Sequence, residues 1–329
     1  MNSREIWVVS DQQNECIHPH IRQILSKAVE LGHDNDYSVT VVCIGRLADF
    51  EYKLFQQYGA DKVIVCSIEE ELSDIEFCNV LEKMVYTYVQ PALMMFPSSR
   101  FGKAVASYMS VRFESGLTAD CIDIKADGLN GFVFSRAALN SSVIARIVCI
   151  NSEIKMCTVK FNVFREKIVP NLKEIIVEEF HPEEYTAGLY PVIEILSREI
   201  NHETNKTTGI NDAKRIFAFG RGSAKEDNIE FLKRNAGKYD AYIVGTRAVV
   251  EDQLLSKSHQ VGQSGLSIAP EIYVSFGVSG ATQHIVGIAN SKIIVAVNND
   301  SNAPIFEYSD YAVIDDSGTI LRELAGIID

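Results

Sequence analysis

The sequence has no apolar run approaching the ~20 residues that a bilayer-spanning helix needs, so no membrane-inserted helix is expected. It is also short of positive charge: 31 Lys and Arg stand against 44 Asp and Glu, a formal net charge of -13. A broad nucleic-acid footprint needs clustered Lys and Arg, so nucleic acid is not an expected partner. The seven cysteines (Cys16, Cys43, Cys66, Cys78, Cys121, Cys149, Cys157) form no CxxC pair and no zinc-ligand spacing. Most sit in apolar runs such as VTVVC and KVIVC, where cysteine acts as a small buried hydrophobe and a reducing compartment suits it. There is no GxxxxGK[ST] phosphate loop, no GxSxG nucleophile elbow and no HExxH zinc helix. No pair of carboxylates has a reason to titrate apart. The strand-like EIWVV begins at Glu5, which leaves no room for a targeting segment and makes the cytoplasm the expected compartment.

What is there suits a globular chain. Its 329 residues are 47% hydrophobic, enough for roughly two domains with their own cores. All seven cysteines, all six methionines and Trp7 lie within the first 157 residues, which suggests two separately composed modules. The expected division is an N-terminal α/β domain over 1–170, an acidic polar linker and surface segment over 171–213, and a second domain over 214–329. Within the linker, VIEIL (192–196) is a strand candidate for either side.

In the first module the β-branched runs EIWVVS, YSVTVVCIG, DKVIVCSI and ALMMFPSS alternate with helically spaced segments. That alternation predicts a parallel sheet with right-handed crossovers. After Gly116 the pattern turns strand-like (TADCIDIKA, GFVFSRAAL, SSVIARIVCI, KMCTVKFNVF), with DGLNG as a turn; these segments either extend the sheet or form an antiparallel layer. The second module reads as a doubly wound, Rossmann-like unit. RIFAFG, DAYIVG, EIYVSFGV, KIIVAVN and YAVIDD are its strands; AKEDNIEFLKRNAGKY, SGATQHIVGIAN and TILRELAGII are its helices.

Ligands of open α/β sheets bind outside the carboxyl ends of the strands. In the second module those ends carry Gly220, Arg221 and Gly222; Gly245, Thr246 and Arg247; Gly277, Ser279 and Gly280, followed by Gln283 and His284; Asn298, Asn299 and Asp300; and Asp315 and Asp316. Small residues, hydroxyls, two arginines and terminal acids suit a large anionic ligand with a ribose. Each piece has a plainer reading. GRGSAK lacks the third glycine of GxGxxG. Ser279 is an anion-binding turn at a helix start or simply an N-cap. Asp316 accepts ribose hydroxyls or solvates a turn. His284 is a ligand contact or a satisfied core histidine. Arg247, expected to be buried at a strand end, is costly there unless paired, which favours a functional role. The rim lacks an evident acid, base or nucleophile, as when a redox cofactor supplies the chemistry.

The ordered segments GRG, VGTRAVVED, HQVGQSG, APEIYVSFGVSGATQHIVGI and IIVAVNNDSNAPIFEYSDYAVIDD together resemble the FAD-binding domain of the electron transfer flavoprotein alpha subunit family. ESGLTADCIDI and SRAAL extend the resemblance into the first module, while SRAALNSS departs from a more usual glycine-containing turn. The resemblance implies FAD held on the second domain, and a heterodimer with a beta subunit. Arg221 is then placed near the phosphates or adenosine end and Arg247 near the isoalloxazine ring, with Thr246 where the family usually has Ser. The segment Gln260, Val261, Gly262, Gln263, Ser264 and Gly265 matches the loop on the flavin's pyrimidine and N5 side, with Ser264 where Thr is frequent. Ser279, Gly280, Ala281, Thr282, Gln283 and His284 match the pyrophosphate turn and the histidine near the flavin C2 carbonyl, protonated or donating there. Asn298, Asp315 and Asp316 match adenosine and ribose contacts. The implied activity is electron relay from flavoproteins of the acyl-CoA dehydrogenase type to a quinone reductase or another acceptor. Within the same family, NADH-driven reduction of ferredoxin is an alternative. A nucleotide-binding module without redox chemistry is the reading from another class.

Overall fold

In the computed structural model the described residues are 4–10, 19–45, 49–68, 72–128, 131–138, 143–170, 174–181, 210, 213–223 and 225–326. Cys16, the centre of the DGLNG turn, the end of SRAALNSS, the VIEIL run and most of the expected linker lie outside them. The chain divides into two compact units.

The first unit is built on one nine-stranded sheet. Its centre is four parallel strands, β1 (Glu5–Val9), β2 (Ser38–Ile44), β3 (Lys62–Cys66) and β4 (Leu93–Pro97), linked by helices α1 (Pro19–Asn35), α2 (Asp49–Gln57), α3 (Asp74–Thr87) and α4 (Arg100–Arg112). Alternate side chains of a strand point to opposite faces, and both faces are covered here. Ile6, Val8, Val41, Val63 and Met95 join one core with α1; Trp7, Val9, Val42, Ile64 and Met94 join another with α3 and α4. Ser73 and Glu76 close a capping box at the start of α3, and Ser99 caps α4. The later segments extend this sheet: β5 (Leu117–Asp127), β6 (Gly131–Ala138), β7 (Val143–Val148) and β8 (Lys155–Val159) follow the order β7-β6-β5-β8-β4. β8 is parallel to both β4 and β5, and β5 and β6 form an antiparallel pair.

One part of the expected linker is different. Residues 176–179 form β9 (Ile176–Glu179), an edge strand parallel to β3. The β-branched IIV run finds the open edge of the sheet, so the first unit continues past residue 170. The cysteines behave as small hydrophobes: Cys43, Cys66, Cys78, Cys121 and Cys157 are buried and none of these is in a disulfide. Burial pushes the Cys66 thiol up to about 11 and Cys78 to about 12.

The second unit has five strands, β10 (Arg215–Phe219), β11 (Ala241–Gly245), β12 (Ile272–Phe276), β13 (Ile293–Asn298) and β14 (Tyr311–Ile314), all parallel. Their order is β11-β10-β12-β13-β14, so the winding reverses between β10 and β12. Helices α5 (Glu226–Asn235), α6 (Arg247–Glu251), α7 (Thr282–Ile285) and α8 (Ser317–Gly326) complete it. The expected helix over SGATQHIVGIAN is a correction: only the single turn of α7 forms. Gly287 lies against the backbone of Gly262, where an added Cβ would stand 2.5 Å from the Gly262 nitrogen. Beyond α7 the segment runs on in turns (Gly287 N to the His284 carbonyl, Ile288 N to the Ile285 carbonyl), and the Gly287 carbonyl accepts from Ile268 N of a neighbouring loop at 2.8 Å. Among the described residues no helix is long and apolar enough to cross a membrane, and no group of side chains could hold a metal ion.

Candidate functional site

The reversal between β10 and β12 opens a crevice at the carboxyl end of the sheet. Its floor is glycine because two backbones meet there. A Cβ on Gly220 would lie 2.1 Å from the Gly277 carbonyl oxygen, and Gly277 itself has φ +62°. Gly280 (φ +90°) packs on Ile305, whose N–H donates to the Ser279 carbonyl at 3.1 Å. Ser223 is buried against this floor, its hydroxyl donating to the Phe276 carbonyl.

Next to this floor, residues 260–266 form a narrow loop tied on two sides. Val261 N donates to the Gly245 carbonyl at 3.0 Å, which anchors the loop at the end of β11. Gln263 N donates to the Gln283 carbonyl at 2.7 Å, which anchors it at α7. Leu266 N to the Gln260 carbonyl (2.7 Å) and Gly262 N to the Leu266 carbonyl (3.0 Å) close its neck. At the tip, Gln260 Nε2 donates to Ser264 Oγ at 2.9 Å. The Ser264 oxygen is therefore the acceptor in that bond, and its own proton is left for another partner.

The candidate residues sort by exposure into two sets. Gln260, Val261, Gly262, Gly280, His284 and Asn298 are buried and act as scaffold. Arg221, Arg247, Gln263, Ser264, Ser279, Ala281, Thr282, Gln283, Asp315 and Asp316 are exposed, with Thr246 and Gly265 half-buried. Each arginine sits beside an acid of the α6 end: Arg247 Nε lies 2.7 Å from Glu251 and Arg221 Nε 3.6 Å from Asp252.

Several sequence expectations change here. Arg247 is not buried; its side chain is 72% exposed, so no desolvation cost argues for its role. What it offers instead is an accessible guanidinium at a strand end. Ser279 is not an N-cap: the cap position of α7 is Ala281, which has no side-chain cap bond. With one turn of helix, a macrodipole adds little, and the anion-binding capacity rests on individual amides. Asp316 Oδ1 is taken up in capping α8, accepting from Gly318 N at 2.9 Å and Thr319 N at 3.1 Å. Asn298 braces the adjacent turn, donating from Nδ2 to the Val278 carbonyl at 2.9 Å and accepting from Asp300 N at 3.0 Å.

His284 follows its plainer reading. It is 5% exposed, with Nδ1 3.1 Å from the Val261 carbonyl and Nε2 2.6 Å from the Tyr273 hydroxyl. Burial pulls its pKa down to about 4, against a smaller upward pull from the Val261 carbonyl. That cost favours the neutral ring at neutral pH, and both nitrogens already have partners within the protein. Tyr273 and Asp252 were not among the residues singled out from sequence. Tyr273 lies inside the β12 core run IYVSF, where its hydroxyl and that of Ser275 are the polar side-chain groups.

FAD is an apt occupant for such a rim. Its pyrophosphate is anionic, its riboses present hydroxyls, and its ring system presents carbonyl and nitrogen acceptors. The margin supplies two exposed guanidiniums, free amides around Ser279–Thr282, hydroxyls from Thr246 and Ser264, and two terminal carboxylates. The donor set therefore fits the group.

A doubly wound parallel unit with an arginine-bearing rim at its switch point defines the class as a nucleotide-cofactor-binding α/β protein. Within that class, residues 6–184 match the electron transfer flavoprotein domain and residues 209–289 match the electron transfer flavoprotein FAD-binding domain. The chain belongs to the electron transfer flavoprotein family, on its alpha side, and FAD is the cofactor of its second unit. It is 27% identical over 317 residues to the electron transfer flavoprotein subunit alpha of Thermoanaerobacterium thermosaccharolyticum, covering 95% of this chain and 94% of that protein. It is 28% identical over 330 residues to the lactate dehydrogenase (NAD(+),ferredoxin) subunit LctC of Acetobacterium woodii, covering 99% and 77%. It is 26% identical over 356 residues to the acryloyl-CoA reductase electron transfer subunit beta of Anaerotignum propionicum, covering 95% and 92%.

Proposed function

We propose that this chain is the FAD-holding half of a heterodimer with an electron transfer flavoprotein beta subunit. In this role it relays electrons from flavoproteins of the acyl-CoA dehydrogenase type to a quinone reductase or another acceptor. The observation that carries this reading is the separation of roles around the rim. Buried residues brace one another, while the charged and hydroxyl groups face outward, as a carrier with no acid, base or nucleophile of its own requires.

Bound FAD accepts two electrons and passes them on singly, and the protein's task is to hold it and set its potential. Arg221 and the amides of Ser279–Thr282 hold the pyrophosphate. Arg247, exposed at the end of β11, would stabilise negative charge developing on a bound ring, the more so where a partner subunit excludes water. Ser264, its oxygen already accepting from Gln260, donates its proton to the N5 side. The outer carboxylates, Asp315 and the second oxygen of Asp316, accept from ribose hydroxyls. His284 contributes as a neutral brace rather than as a charge.

A second reading draws on the relative whose name includes NAD(+) and ferredoxin: NADH-driven ferredoxin reduction by the complex. The two readings separate in one assay with the purified heterodimer, ferredoxin, and an enoyl-CoA with its acyl-CoA dehydrogenase as acceptor for the second electron of each NADH pair. Simple relay leaves ferredoxin oxidised when NADH is supplied; reduction of ferredoxin by NADH assigns the complex to the second reading.

A further inference from the structure

Tyr273 is wholly buried in the middle of β12, and its register partners Ile216 and Ile294 are aliphatic. Around it lie Ile216, Val261, Val278, Ile285, Ile288 and Ile294. A hydroxyl in such a place needs a partner, and it has one, His284 Nε2 at 2.6 Å. The opposite nitrogen of that ring, Nδ1, is 3.1 Å from the Val261 carbonyl. A carbonyl only accepts, so Nδ1 carries the ring hydrogen; Nε2 is then the lone-pair nitrogen and the Tyr273 hydroxyl is its donor. The chain of donors runs one way, from Tyr273 through His284 to Val261.

Val261 lies in the neck of the 260–266 loop, whose tip holds Gln263 and Ser264. The loop's ties at Gly245 and Gln283 are backbone bonds, the second reached because Gly262 (φ +137°) has no Cβ to meet the Gln283 carbonyl. The Tyr273–His284–Val261 chain is made by side chains, and it fastens the loop directly to the central strand of the sheet. From this geometry we infer that Tyr273 is a positioning residue of the flavin site: its hydroxyl anchors the Nε2 side of His284 to β12 and, through the ring, sets the placement of the loop carrying Ser264. The inference rests on the FAD-carrier reading for its consequence, but the hydrogen-bond chain itself does not depend on bound flavin.

The test uses the flavin-loaded heterodimer with ¹⁵N-labelled histidine. In the wild type the His284 resonances should show a neutral ring with hydrogen on Nδ1. In Tyr273→Phe, which keeps the ring volume, the hydrogen should stay on Nδ1 while the Nε2 resonance moves toward that of a lone-pair nitrogen without a donor. Flavin release should quicken by roughly fivefold to tenfold, the worth of one buried hydrogen bond. Ile294→Val, a core variant on the same face, controls for destabilisation alone and should leave both the His284 shifts and the release rate unchanged. A wild-type ring protonated on Nε2 overturns the inference, as does a Tyr273→Phe protein with unaltered His284 shifts and release rate. A wild-type heterodimer that carries no flavin instead overturns the site reading, while the nitrogen shifts still report on Tyr273.

Discussion

Gln260 Nε2 donates to Ser264 Oγ at 2.9 Å across the neck of the 260–266 loop, and this fixes what the serine hydroxyl has left to give. Gln260 is 6% exposed, so its amide has few alternatives, whereas Ser264 is exposed at the tip. The pair turns a mobile hydroxyl into a directed donor. Gln260→Leu removes the directing group and keeps the hydroxyl; Ser264→Ala removes the donor and leaves the Gln260 amide unsatisfied at a cost of about 1 to 2 kcal/mol. Both should change the bound flavin's absorption envelope, but only Ser264→Ala should lower the midpoint of thermal unfolding appreciably.

Arg247 separates function from stability. Its ion pair with Glu251 is an exposed i,i+4 pair, worth no more than about 0.5 kcal/mol. Arg247→Ala should therefore leave the unfolding midpoint nearly unchanged, while the flavin's reduction potential falls by on the order of tens of millivolts. Arg247→Lys keeps the charge and should recover most of that potential. Potentiometry with a reference dye reads both; an unaltered potential in Arg247→Ala removes the arginine from its assigned role.

The acid limb of stability should carry the mark of His284. Its pKa falls from 6.5 in the unfolded chain to about 4 in the folded one, chiefly through burial. Unfolded chains then bind a proton that the native ring refuses. The stability this gives is full above pH 6.5, declines as the pH falls toward 4 with the slope of one proton, and is flat below. Burial also lowers His259, with Lys233 adding to it, so that group contributes in the same direction. Denaturant titrations at several pH values should show that His284→Gln flattens the decline between pH 6.5 and 4 without abolishing it.

Two glycines make a matched pair. At Gly280, with φ +90°, an added Cβ would stand 2.2 Å from Ile305 N, in a position that backbone alone occupies. Gly280→Ala should cost about 1 to 3 kcal/mol from the left-handed conformation alone, with the Ile305 clash added, and should impair flavin retention. At Gly237, in a 3-10 turn on the surface, an added Cβ meets nothing within 4 Å. Gly237→Ala should leave unfolding and flavin content unchanged.

The strands were legible because parallel sheets bury both faces: EIWVV, VTVVC, KVIVC, RIFAF and KIIVAV are near-continuous apolar runs. The rim was legible too, since strand ends follow once strands are known. Contacts distant in sequence were not. The stop after one turn of α7 is made by Gly287 meeting Gly262, twenty-five positions earlier in the chain. β9 was hidden in an acidic stretch because its pairing with β3 is tertiary. A strand-end position alone suggests burial for Arg247, but the side chain points to solvent and to Glu251. The histidine brace needed Tyr273, eleven residues away on a neighbouring element, which no spacing rule connects to it.

The central claim is that the second unit of this chain holds FAD at its strand-end rim. The visible absorption spectrum of the heterodimer, purified after co-expression with the partner subunit and followed by heat release and identification of the chromophore, tests it most directly. The account predicts a yellow complex that releases FAD and loses much of it in an Arg221→Ala, Ser279→Pro double variant while staying folded. A colourless complex that still binds adenine nucleotides contradicts it.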